Sequence, residues 1–157
     1  MTPTLPVRVL VCGEPLRGDD GAAVLAAAGL EGEARALAEV IEVGQLSVEA
    51  LLDLPEGVAV IVADAAVGVA AGEVIIVPLA EVARRGPGAT PASSHSLPPD
   101  QVLALAEELS GSPLRGVFVG IGVAEFGFGE GLSPEVTAGV PAFTAALAGE
   151  IRRLAER

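Results

Sequence analysis

The chain has no lysine, no tyrosine and no tryptophan, and one cysteine, one histidine and one methionine among its 157 residues. Each gap removes a class of function. Without lysine there is no Walker-type phosphate loop. Without tyrosine or tryptophan, aromatic stacking platforms and large aromatic hot spots are not expected. A single cysteine builds neither a disulfide framework nor a cysteine-based zinc site. No apolar stretch reaches the ~18 residues of a membrane span. The opening Met1-Thr2-Pro3-Thr4-Leu5-Pro6 lacks the basic region and apolar run of a signal peptide. The cytoplasm is therefore the expected compartment. Nine arginines against 21 acids leave a net charge of −12. Such a chain repels nucleic acid and anionic membranes, and favours cations or a basic partner.

What is present is a core-forming composition, with 51% apolar residues. The length suits a single domain over residues 1–157. Aliphatic runs alternate with helical patterns. Strands are expected at Val7–Gly13, Val40–Val43, Val58–Ala63, Glu73–Val77 and Gly116–Gly122. Helices are expected at Asp20–Leu30, Ser47–Leu54 and Pro98–Leu109, and after Ser133, with Pro141 interrupting or kinking the last. The Gly/Pro/Ser-rich stretch Arg84–Ser94 reads as an exposed loop. This alternation predicts an α/β fold: three layers, α/β/α, around a mostly parallel, twisted five-stranded sheet. In such folds ligands sit beyond the carboxyl ends of the strands, where strand order reverses.

Acids mark those ends. Asp19 and Asp20 follow the first strand and Asp64 follows the third. One helix start needs one cap, so Asp19 is assigned the N-cap and Asp20 a functional role at or just inside the first helical turn, kept ionised by the helix dipole. Asp64 suits either a functional carboxylate or a partner for loop amides. His95, the sole histidine, precedes the Pro98–Leu109 helix in a serine-rich segment. Two carboxylates and an imidazole can hold a borderline divalent ion with positions left open. Cys12 lies inside an aliphatic run and reads as a small buried hydrophobe rather than a nucleophile. No Gly-x-Ser-x-Gly elbow accompanies Ser93, Ser94 and Ser96, and Gly13, Gly18 and Gly21 do not fit a dinucleotide fingerprint. The loop Phe126–Gly131 reads as a connection whose phenylalanines tuck into the core, with a partner-docking lip beside the crevice as the alternative.

Four pieces occur in a telling order: Gly13-x-Pro15-Leu16-Arg17-Gly18-Asp19-Asp20-Gly21, the strand ending in Asp64-Ala65, Ser94-His95-x-Leu97, and Phe126-Gly127-x-Gly129-x-Gly131-Leu132-Ser133-Pro134-Glu135-Val136. Together they resemble the hydrogenase maturation endopeptidases, over nearly the whole chain. The resemblance implies removal of a C-terminal extension from a nickel-containing hydrogenase large-subunit precursor. It implies that Asp20, Asp64 and His95 are the catalytic and nickel-recognising residues, the nickel being supplied by the precursor, and that the partner is this precursor; a monomer that meets it transiently is the simplest expectation. Two positions depart from the family pattern. Glu14 replaces the usual asparagine, and Gly122-Val123 replaces an acidic or amide residue followed by proline. Beside that activity two alternatives stand: a non-cleaving binding module for the precursor, on account of Glu14, or a divergent metal-binding hydrolase.

Overall fold

A computed structural model describes residues 4–14, 18–84, 99–111, 113–123 and 131–156. Five strands, β1 (Val7–Cys12), β2 (Ala38–Gly44), β3 (Ala59–Ala71), β4 (Val74–Pro78) and β5 (Gly116–Gly122), form one sheet in the order β2-β1-β3-β5-β4. β1 runs parallel to both β2 and β3, β3 runs parallel to β5, and β4 alone is antiparallel. The helices are α1 (Ala22–Ala28), α2 (Gly32–Leu37), α3 (Val48–Leu52), α4 (Leu79–Arg84), α5 (Pro99–Ser110) and α6 (Pro134–Ala155). The expected α/β class is observed, and the expected five strands are those found among the described residues.

The period-2 alternation of the strands divides the core in two. On one face Val7, Val9 and Val11 of β1, with Ile61 and Ala63 of β3, pack against Ala22, Ala23 and Ala26 of α1 and Phe143, Leu147 and Ile151 of α6. On the other face Leu10 and Cys12, with Val60 and Val62, pack against Leu51 of α3, Leu79 and Val82 of α4, and Val102, Leu103 and Ala106 of α5. Central strands covered on both faces need apolar side chains in both registers, hence their near-continuous aliphatic runs. Burying one such side chain contributes about 1.5–3 kcal/mol.

Several elements differ from expectation, each for a physical reason. β3 does not stop at Ala63 but continues to Ala71, because β5 supplies a ladder partner for Asp64 (Gly120), Ala65 (Ile121) and Ala66 (Gly122) after β1 has ended. α1 begins at Ala22, since Gly18–Gly21 forms a separate 3-10 turn. The short helices α2 and α4, six residues each, were not foreseen. Pro141 does not break α6, which is assigned without interruption from Pro134 to Ala155. Pro141 and Thr137 are both exposed, so water can serve the carbonyl that proline leaves without an amide partner. Residues 85–94 of the expected loop and residues 126–130 of the phenylalanine-bearing connection lie outside the described residues.

Candidate functional site

The topology locates the site before any side chain is considered. β1 leads to β2 on one side and its neighbour β3 leads to β4 on the other, so the connections leaving the carboxyl ends of β1 and β3 go in opposite directions. That is the switch point where a parallel sheet opens a crevice. The β1–β3 ladder ends at Val11 opposite Ala63. Asp64 is the next residue on β3, standing where β1 has given out.

From Cys12 the chain turns sharply. The Gly13 amide donates to the Gly44 carbonyl at 2.8 Å, closing the end of β2. Gly13 has φ +123°, and a Cβ there would sit 2.0 Å from the Asp20 carbonyl oxygen. Only glycine meets both conditions. The next amide, Glu14 N–H, donates to Asp20 Oδ2 at 3.0 Å. Residues 15–17 lie outside the described residues. The chain is described again at Gly18, in the 3-10 turn carrying Asp19 and Asp20, which are only 1% and 6% exposed.

The roles of the two acids differ from expectation. Asp19 is not the N-cap of α1. That position is Gly21, with no side-chain cap, and Asp20 lies ahead of the helix rather than in its first turn. The carboxylates are engaged elsewhere and leave the α1 amides to other partners. Asp19 Oδ1 accepts from the Ser133 amide at 2.6 Å, and its Oδ2 accepts from Ser133 Oγ at 2.9 Å. Ser133 is the N-cap residue of α6 yet makes no side-chain cap bond to its own helix. This tether escaped the sequence reading because the partners are 114 positions apart, and because Ser133-Pro134-Glu135 is a self-sufficient helix start.

Asp64 is 1% exposed, and its Oδ1 accepts from the Ala65 amide at 2.7 Å. Burial raises its pKa well above the ordinary carboxylate value. The Ala65 hydrogen bond opposes the rise and the negative charge of Asp20 adds to it. Cys12, fully buried, lies on the same sheet face as Val60 and Val62. Strand alternation gives Asp64 that face too. The Cys12 thiol is pushed up by burial first, then by Asp64 and Asp20. Its expected place in the core holds, with two acids beside it that the sequence did not announce.

The structure thus brings Asp20 and Asp64 together. His95 lies outside the described residues. Among the described residues, no group of three or more His, Cys, Asp or Glu side chains is arranged to hold a metal ion. A neighbouring cleft is lined by Gln45, Leu46, Ser47 and Glu49, which follow β2, and by Val102 in the first turn of α5. The first turn of α5 therefore lies at the carboxyl edge of the sheet, the edge that carries both acids.

Comparison with known proteins agrees with this architecture. A family model described as hydrogenase maturation protease matches residues 26–150. Among solved structures, the [NiFe] hydrogenase maturation protease HybD from Thermococcus kodakarensis is similar at 24% identity and TM-score 0.70, covering 90% of this chain and 96% of that one. The hydrogenase maturating endopeptidase HybD from E. coli is similar at 22% identity and TM-score 0.73, covering 95% and 93%. The endopeptidase HycI from Escherichia coli is similar at 23% identity and TM-score 0.65, covering 92% and 90%. At these identities the structural likeness speaks for the fold. No curated protein sequence matches the chain.

Proposed function

The chain belongs to the hydrogenase maturation protease family, and from that premise we propose that Asp20, Asp64 and His95 form its nickel-recognising site. The protein is an endopeptidase that removes the C-terminal extension of a nickel-containing hydrogenase large-subunit precursor. Nickel is part of the substrate in this reading. It arrives in the precursor, and the protease reads its presence before cutting.

The observation that carries the site assignment is the pairing of two almost wholly buried carboxylates, Asp20 and Asp64, at the switch point of the sheet. Like charges held together out of water raise each other's cost of ionisation, and a divalent cation turns that cost into attraction. Oxygen donors alone leave a borderline cation such as nickel short of the imidazole it favours. His95 supplies it in this reading. It stands four positions before Pro99, within about 14 Å of it by chain reach, and α5 starts at this same edge. Three protein ligands leave positions for donors of the precursor. The bound cation can then polarise the scissile carbonyl or activate a water. No side chain of this chain is assigned as nucleophile.

Co-expression with a nickel-loaded precursor tests the proposal, with intact mass of the large subunit as the readout. The wild type should trim the C-terminus to completion. Asp64→Asn and His95→Ala should each leave the full-length precursor, and nickel-free precursor should stay uncut. Equal trimming by the wild type and by His95→Ala would remove the nickel assignment.

A further inference from the structure

We infer that Asp19 is a positioning residue, which fixes the carboxylate of Asp20 by clamping its turn to the start of α6 through Ser133. The inference rests on the processing-protease reading of the Asp20–Asp64 site.

Four observations carry it. Asp19 is 1% exposed, and both its oxygens accept from one residue, the Ser133 amide at 2.6 Å and hydroxyl at 2.9 Å. Charge-assisted bonds of this length fix geometry more firmly than neutral ones. Ser133 gives its hydroxyl to Asp19 and makes no side-chain cap bond within its own helix, so the contact ties the start of α6 to the Asp19–Asp20 turn. Asp19 and Asp20 are adjacent in a four-residue 3-10 turn, so a shift of one carries the other. Contacts of Asp20 also come from the end of β1: the Glu14 amide on its Oδ2, and Gly13 against its carbonyl. Asp19 adds a hold on the same turn from the start of α6.

The Glu14 amide reports the position of Asp20 without any substrate. In 15N-labelled protein, Asp19→Asn and Ser133→Ala should each move the Glu14 amide resonance and speed its hydrogen exchange tenfold or more. The Gly13 amide, bonded into the sheet at Gly44, should stay unchanged. In precursor processing both variants should lose tenfold or more in kcat with KM within threefold of wild type. Ser133→Thr, which keeps the hydroxyl and the amide, should restore both readouts. A double variant should be no worse than Asp19→Asn alone, as expected for one shared interaction. The inference is overturned if the Glu14 amide does not respond in folded variants, or if only thermal stability falls while kcat per folded molecule is unchanged. If Asp19→Asn does not fold, Ser133→Ala carries the same two readouts, since it removes only one donor. Failure of the wild type to cut the precursor would sink the processing reading instead, and the Glu14 amide would still decide the role of Asp19.

Discussion

Burial holds the Asp64 carboxyl toward its neutral form, and the Asp20 charge reinforces the effect against the Ala65 amide. The folded pKa is thus raised above the unfolded one, about 3.9. Below that value the carboxyl is neutral in both states and costs nothing. As pH climbs through the window between the two values, the unfolded chain has released a proton that the folded chain keeps. Stability therefore falls with rising pH, and the loss stops growing once the folded carboxyl also ionises. Asp64→Asn removes the titration and keeps an oxygen for the Ala65 amide. We expect urea unfolding of the metal-free protein to favour the Asn variant over wild type by a margin that is absent near pH 4 and widens toward neutrality, while the variant loses processing activity. Stability given up at Asp64 in return for the role proposed for it would be a familiar exchange. Asp20 and Asp64 were legible in the sequence because each follows an aliphatic run at a strand's carboxyl end. Asp19 was not. Its partner is remote in sequence, and a carboxylate next to a helix start has an ordinary reading as a cap.

Among the elements, those with strong periodicity or long apolar runs were readable. β5 is observed at Gly116–Gly122, the span its aliphatic run defines. Misreadings arose where a tertiary partner overrode local signals. Asp64 looks like a strand terminator, yet β5 continues the ladder beyond it. Helices α2 and α4 are six residues each, too short for a hydrophobic stripe to repeat. Pro141 looks like a helix breaker. Yet α6 buries Val136 before it and Phe143, Leu147, Ile151 and Leu154 after it, and Thr144 Oγ1 donates to the Ala26 carbonyl at 2.8 Å, fastening α6 to α1. These contacts on both sides hold the helix through the defect. The defect should still register. Pro141→Ala restores the amide that bonds the carbonyl of Thr137 and relieves the ring clash, against a small gain in unfolded-chain entropy. The expected result is a stabilisation of about 2 kcal/mol in denaturant unfolding, with processing unchanged because Pro141 faces solvent about 12 Å along α6 from Ser133.

For the whole molecule, charge and topology act together. A net charge of −12 on 157 residues with no lysine surrounds the chain with a negative potential that attracts cationic partners and is screened beyond about 10 Å at 0.1 M salt. The crevice beyond β1 and β3 contributes two buried acids of its own. A precursor that presents a metal centre and a basic segment would be steered to this edge, whereas the bond-breaking step, taking place among buried groups, is screened far less. The two stages of the reaction should therefore separate on a salt series. Raising ionic strength from about 0.05 to about 0.5 M should lift KM for the nickel-loaded precursor roughly 3- to 10-fold and change kcat less than about twofold. Steady-state processing followed by mass spectrometry checks this. A KM that does not move with salt would mean that the acidic surface serves solubility alone, and that recognition rests on the local contacts of the crevice.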